Sequence, residues 1–145
     1  MQITVYGIAA PKGSTKAFMR PGARFPVVTH DSARTKPWSE AVVSAALDVV
    51  RGAAAMERGE PVGLAVQFYL PRPKSAPKRV TRPTTKPDLD KLVRCVADGL
   101  TRAGVYRDDS QVQVTLSAKH FAAGAGDPSG ARGIPRAVVN VAGIL

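Results

Sequence analysis

The sequence predicts a small α+β domain in which two helices pack on one mixed β-sheet, in the order ββαβαββ. Strand-like segments interleaved with two helix-like segments favour this fold class. Alternation of polar and apolar residues recurs in four segments: Gln2 to Ile8, Val62–Leu70, Val112–Phe121 and Ala137–Ile144. No internal repeat or long linker divides the chain, so residues 1–145 are expected to form a single domain.

The first half of the chain is predicted to contain a loop, a short strand and a helix. Residues 10–24 are rich in glycine, proline and basic side chains, which predicts a mobile loop. A second strand is predicted over Phe25–Thr29. The first helix follows, with Thr35 as its N-cap and Pro37 in its first turn, and apolar residues at helical spacing extend it to a stop near Gly52.

The second helix is predicted from Asp88 to about Ala103, after a proline-rich basic loop. Pro87 disfavours helical geometry in the residue before it and aspartate is a favoured N-cap, so the helix is expected to start at Asp88. Its apolar side chains share one stripe that must face the core: Leu89, Leu92, Val93, Val96 and Leu100. The opposite side carries charged residues at a spacing of i, i+4 and i+8, namely Asp90, Arg94 and Asp98.

The composition excludes several classes of protein. Apolar residues make up 44% of the chain, which is too many for a disordered tail. No run approaches the roughly 20 apolar residues that a membrane-spanning helix needs, and the N-terminus lacks the pattern of a signal peptide. The lone cysteine, Cys95, cannot form an internal disulfide or a cysteine zinc cluster. A cytoplasmic protein is therefore expected.

The charge of the chain indicates a polyanionic partner. Lysine and arginine number 21 against 11 acids, a formal net charge of +10, and nucleic acid is the commonest polyanion in the cytoplasm. Six basic residues and no acid lie between Arg72 and Lys86, whereas five of the 11 acids lie between Asp88 and Asp109. A protein that only coats DNA needs basic residues, and it does not need a cluster of acids directly after a basic segment.

Taken separately, these acids have ordinary structural explanations. Asp88 can cap the helix, Asp90 can pair with Arg94, and Asp98 can pair with a neighbouring arginine. Asp108-Asp109 can form a turn. The functional interpretation depends on whether the chain brings the two groups of acids together.

The spacing allows the two groups to meet. The predicted helix is roughly 22 Å long, and Gly104 is well placed to end it. The extended residues 104–109 span about 20 Å. That length is enough to return Asp109 to the neighbourhood of Asp88 and Asp90.

Converging carboxylates favour metal chemistry. They repel one another, so they either hold protons or bind a cation. Mg²⁺ prefers oxygen ligands of this kind and keeps some water for a substrate phosphate. Such an ion can lower the pKa of a water and offset charge on a pentacovalent phosphate, while Arg94 or Lys91 stabilises the same charge. The pattern therefore predicts metal-dependent hydrolysis of a phosphodiester.

Residues 86–112, KPDLDKLVRCVADGLTRAGVYRDDSQV, closely resemble the signature of RusA-type Holliday junction resolvases. In that family a D-x-D at a helix start, a basic residue within the helix and a D-D pair beyond it form the active site. The early segment APKGSTKAFMR and the Lys36-Pro37-Trp38 helix entry are similar to phage-type members. The resemblance implies a homodimer in a bacterial or phage-infected cell. It also implies dependence on Mg²⁺ or Mn²⁺ and paired cuts in opposite strands of a four-way junction, in recombination, repair or phage DNA processing.

The resemblance also assigns roles to individual residues. Asp88, Asp90 and Asp109 match the metal-binding and catalytic acids of the family, and Asp108, the first member of the pair, is a fourth candidate ligand. Arg94 stands where the family pattern has a catalytic lysine. Arginine keeps the charge but cannot donate a proton at neutral pH, so electrostatic stabilisation is the role it can retain.

The basic loops 12–24 and 72–86 are predicted to hold DNA phosphates. The predicted contacts, with one residue of the second helix, are Lys12, Lys16, Arg20, Arg72, Lys74, Lys78, Arg79, Arg82, Lys86 and Lys91. These side chains are also compatible with solvated loops of a basic protein. Two further functions are open: a non-catalytic module that holds branched DNA, and a nuclease that cuts flaps or forks.

Overall fold

The computed structural model describes residues 1–13, 15–19, 21–22, 24–25, 27–30, 33–124, 126–128 and 133–144, with the backbone alone at 15–18 and 27–30. The elements in chain order are β1 (Gln2–Tyr6), β2 (Thr15–Phe18), β3 (Val27–His30), α1 (Thr35–Val50), β4 (Val62–Leu70), α2 (Leu89–Ala103), β5 (Val112–Phe121) and β6 (Arg136–Gly143). A short 3₁₀ turn, Asp109–Gln111, precedes β5.

Four strands form a mixed sheet in the order β1-β6-β4-β5. β6 is antiparallel to both β1 and β4, whereas β4 and β5 are parallel. Parallel neighbours need a crossover connection, and the segment that carries α2 supplies it. The predicted α+β fold, with one mixed sheet and two helices, is confirmed.

The prediction of a loop over residues 10–24 was wrong for its central part. Thr15–Phe18 is a strand that pairs antiparallel with Val27–His30, so the described part of the chain has three strands before α1 and the order is βββαβαββ. Of the glycines and prolines that suggested a loop, Pro11 and Gly13 precede β2, and Pro21 and Gly22 lie between the two strands, where Gly22 has a φ of 82°. Strands of four residues lie at the lower limit of the length over which alternation predicts a strand.

The core lies between the sheet and the two helices, which approach each other closely. A Cβ atom on Gly99 of α2 would lie 2.5 Å from Cγ1 of Val42 on α1, so this crossing requires glycine.

α1 begins at Thr35 with Arg34 as its N-cap. The prediction of Thr35 as the N-cap was therefore wrong: the Thr35 hydroxyl donates instead to the Pro11 carbonyl at 2.9 Å and ties the start of α1 to the segment after β1.

A register shift near the start of the edge strand β5 changes which side its residues face. Val62 of β4 pairs with Val112, but the next residue, Gly63, pairs with Val114, so Gln113 is an extra residue in β5. One extra residue exchanges the two sides of a strand. Beyond the shift the apolar residues turn away from the helices, and the side chains of Val114 and Leu116 are 49% and 65% exposed.

Neither helix in the described part of the chain is long and apolar enough to cross a lipid bilayer.

Candidate active site

The start of α2 carries the first two acids. Asp88 occupies the N-cap position with extended backbone angles, as predicted, but its side chain forms no capping hydrogen bond. It instead lies 3.3 Å from the Lys91 ammonium, a half-buried pair one turn apart. Asp90 follows in the first helical turn and is exposed. Neither carboxylate is therefore engaged in capping the N-terminus of the helix.

The return path predicted after α2 is present. Gly104 ends the helix in the left-handed region, with a φ of 74°. Tyr106 is buried, and its hydroxyl donates to the Ala97 carbonyl of α2 at 3.1 Å. Burial raises the pKa of the Tyr106 hydroxyl, so it remains a donor at neutral pH. This bond holds the returning segment against the helix and directs the chain toward Asp109.

Gln111 fixes the 3₁₀ turn that carries the second pair of acids. The buried Gln111 side chain donates to the carbonyls of Glu57 and Glu60, and accepts from the Arg107 and Asp108 amides at 2.9 and 3.2 Å. Asp108 caps the turn by accepting from the Ser110 amide at 2.9 Å. Hydrogen bonds from Ser110 hold the pKa of Asp108 below its ordinary value. Asp108 therefore has a clear structural task, and Asp109 is the member of the pair that reaches the cleft.

A cleft of about 480 Å³ separates α2 from β5 and the 3₁₀ turn. Three of the predicted site residues line it: Asp90, Arg94 and Asp109. Its remaining lining consists of Leu64, Val93, Ala97, Val112, Thr115 and Ser117. Residues separated along the sequence by a whole helix thus share one cavity. Asp88 and Asp108 flank the cleft without lining it.

The structure separates the charges that sequence spacing had suggested as pairs. Asp90 and Arg94 form no ion pair with each other or with any other described residue. Asp98 pairs with Lys12, so the expectation of an arginine partner was wrong. The Lys12 backbone amide also donates to the Lys91 carbonyl at 3.1 Å. The segment after β1 is therefore fastened to α2, and Asp90 and Arg94 remain available in the cleft.

Lys119 of β5 connects the sheet to the start of α2. Its ammonium donates to the carbonyls of Thr85 and Pro87 at 3.0 and 2.9 Å. These carbonyls lie just before Asp88. A cation bound to two carbonyl groups fixes the backbone without neutralising an acid. Lys119 thus holds the D-x-D segment at a set distance from β5.

Arg72 binds backbone carbonyls of its own basic loop. Its guanidinium donates to the carbonyls of Val80 and Pro77 at 2.7 and 2.8 Å and lies 5.0 Å from the centre of the Phe121 ring. The other basic residues of this loop are exposed: Lys74, Lys78, Arg79, Arg82 and Lys86. Of the remaining predicted DNA contacts, the Lys16 side chain and Arg20 lie outside the described residues.

Sequence reasoning missed the contribution of β5 to the cleft. Thr115, Ser117 and Lys119 lie on its helix-facing side, because they pair in register with the buried Leu64, Val66 and Phe68 of β4. The available signal was that every second residue of this strand is polar. The alternation alone does not tell which side of β5 faces the helices. Without the register shift, the apolar residues would face them.

The described residues contain no set of three or more histidine, cysteine, aspartate or glutamate side chains placed to hold a metal ion. Cys95 lies on α2, but burial raises the pKa of its thiol to about 11, so it stays protonated at neutral pH. The described oxygen donors that line the cleft are the carboxylates of Asp90 and Asp109 and the hydroxyls of Thr115 and Ser117. Hard cations such as Mg²⁺ prefer oxygen donors.

Comparison with known proteins agrees with this arrangement. The family model described as endodeoxyribonuclease RusA matches residues 10–128, which include every acid of the candidate site. The uncharacterised protein YqaN of Bacillus subtilis (strain 168) is 33% identical over 136 residues, covering 83% of this chain and 87% of that protein. The chain therefore belongs to the RusA family of endodeoxyribonucleases, which resolve Holliday junctions.

Proposed function

We propose that this protein is a Mg²⁺-dependent endonuclease that resolves four-way DNA junctions by paired hydrolysis of opposite strands, with Mn²⁺ able to substitute. The observation that carries the proposal is the convergence of Asp90, Arg94 and Asp109 on one cleft. The reaction belongs to the cytoplasm of a bacterial or phage-infected cell, in recombination, repair or phage DNA processing. Residues 1–145 act as one nuclease domain.

The cleft residues suit a divalent ion that is held by few protein groups. Mg²⁺ is commonly bound through one or two carboxylates, with water and substrate phosphates completing its shell. Asp90 and Asp109 would supply these carboxylates, and Asp88 would join them if its pair with Lys91 opens. Asp108 would contribute indirectly, by fixing the turn that presents Asp109. When bound, the ion would lower the pKa of a water and offset charge on the phosphate.

Arg94 would act on the phosphate by charge alone. It lies one helical turn after Asp90 on the same side of α2 and lines the same cleft. A guanidinium stays protonated and can donate two parallel hydrogen bonds to phosphate oxygens. It therefore stabilises the charge that develops on the scissile phosphate, and the proton of the leaving oxygen comes from elsewhere.

The exposed basic residues of the loop 72–86 would hold the arms of the junction. Five basic residues of this loop are exposed, and they lie directly before the helix that lines the cleft: Lys74, Lys78, Arg79, Arg82 and Lys86. Lys12 and Lys91 already neutralise Asp98 and Asp88, so they would add less to DNA binding. Each neutralised phosphate is expected to steepen the dependence of log affinity on log salt by about 0.9.

The decisive experiment compares cleavage of a synthetic four-way junction, a flap and a linear duplex at one salt concentration. With Mg²⁺ we expect symmetrically placed nicks in opposite strands of the junction, and slower cutting of the other two substrates. Faster cutting of the flap would identify a flap or fork nuclease. A stable complex with no nicks in either Mg²⁺ or Mn²⁺ would identify a binding module, and would contradict the proposal.

We further propose that the protein is a homodimer, because paired cuts require two active sites. The open side of β5, away from the helices, supports this proposal since Val114 and Leu116 are exposed there on an edge strand. We expect sedimentation equilibrium to give twice the chain mass, and Leu116→Asp to shift the protein toward monomer. Leu47→Asp, at an exposed leucine of α1, is the control. A monomeric wild-type protein at micromolar concentration would refute the proposal.

A further inference from the structure

β5 presents polar side chains to the cleft on the side where an amphipathic strand normally presents apolar ones. Beyond the register shift at Gln113, Thr115 pairs with Leu64 and Ser117 with Val66, two buried residues of β4 that face the helices. Thr115 and Ser117 therefore continue the helix-facing side of the sheet to its edge. Bulges next to active sites commonly redirect side chains in this way.

The two hydroxyl groups have no structural task that explains them. Both residues line the cleft with Asp90, Arg94 and Asp109. Neither side chain forms a hydrogen bond to another described residue, whereas the neighbouring Lys119 on the same side is engaged by two carbonyls. The shift also leaves Val114 and Leu116 exposed on the open side, an arrangement that burial of apolar surface within a single chain would not favour.

We propose that Thr115 and Ser117 bind the phosphodiester backbone of the DNA strand that is cut. Serine and threonine hydroxyls are frequent donors to phosphate oxygens, and such contacts position DNA without reading its sequence. α2 supplies the charged wall of the cleft and β5 supplies the neutral wall. The strand would lie between them, with the scissile phosphate toward Asp90 and Arg94. This inference rests on the proposed nuclease function and assigns a substrate contact to a different element.

The test compares the Thr115→Val/Ser117→Ala double variant with wild type on a labelled four-way junction. Thr115→Val keeps the shape of the side chain, and both positions lie in an edge strand, so the fold should tolerate the changes. A hydrogen bond to a charged group contributes enough to predict a rise in KM of roughly tenfold or more, with kcat near the wild-type value. Junction affinity in EDTA should weaken in parallel. Thr115→Ser/Ser117→Thr, which keeps both hydroxyls, should behave like wild type.

Thr4→Val is the matched control, because Thr4 is an exposed threonine of β1 at the opposite edge of the sheet. An unchanged KM and an unchanged affinity in the double variant would overturn the inference, as would a loss confined to kcat. If the wild-type protein binds the junction but never cuts it, the nuclease proposal fails, and the affinity comparison in EDTA still decides the role of the hydroxyls. A wild-type protein that neither binds nor cuts branched DNA would overturn both.

Discussion

Asp90→Asn is expected to reduce junction cleavage by at least 10²–10³-fold, while the variant still binds the junction as tightly as wild type or more tightly. The carboxylate lies in the cleft beside Arg94 and forms no ion pair with another described residue, so its removal breaks no structural contact. In the proposed mechanism it would remove one oxygen ligand of the divalent ion. It also removes a negative charge that repels the DNA backbone, which is why binding should not weaken.

The control for this prediction is Asp48→Asn. Asp48 lies on α1, where its exposed carboxylate is 3.8 Å from the Arg51 guanidinium, and the substitution makes the same chemical change outside the cleft. Single-turnover cleavage and a gel-shift assay in EDTA would separate chemistry from binding. An Asp90→Asn protein that cuts at the rate of the Asp48→Asn control would exclude Asp90 from the active site.

The second large effect is on stability, at the buried ion pair between Asp127 and Arg136. The two side chains are 0% and 3% exposed. One guanidinium nitrogen donates to Asp127 Oδ2 at 3.1 Å, and the guanidinium lies 4.1 Å from the centre of the Tyr69 ring. Asp127→Ala leaves the arginine charge buried without its carboxylate. We expect a loss of about 3–5 kcal/mol in the free energy of unfolding, and a fall in Tm of roughly 10 °C.

Urea and thermal unfolding would measure this loss. Asp48→Ala provides the comparison, because the exposed Asp48–Arg51 pair is expected to contribute at most about 1 kcal/mol. Adding Arg136→Met to Asp127→Ala should recover part of the loss, since the buried arginine charge is then removed as well. A fall in Tm no larger than that of Asp48→Ala would show that the pair is not a major source of stability.

The sequence predicted α2 and its return segment well because each boundary there has a strong local cause. Pro87 restricts the residue before it, the apolar residues repeat at helical spacing, and Gly104 adopts the left-handed conformation that ends the helix. The chain length allowed Asp109 to return to Asp88 and Asp90, and of these two Asp90 lines the cleft with it. These features depend on residues close together in the sequence, so spacing was enough to predict them.

Other features depend on contacts between distant residues, and the sequence did not reveal them. Lys12 reaches Asp98 across the fold, and nothing in the pattern of either segment indicates that pairing. The alternation in β5 predicted a strand, but the face that meets the cleft is decided by Gln113, an unpaired residue opposite β4. Register is a property of two strands together, so one strand read alone does not give it.

The bonds of Arg72 to the carbonyls of its own loop have a consequence for how DNA is recognised. A long basic loop would normally lose much of its conformational freedom when it meets a nucleic acid, and that loss would weaken association. Here Arg72 holds the turns around Pro77 and Val80 before any DNA arrives. In the proposed DNA complex, the backbone that carries the exposed lysines and arginines would therefore already be ordered by folding, and their attraction for phosphate would be left to favour capture of the junction.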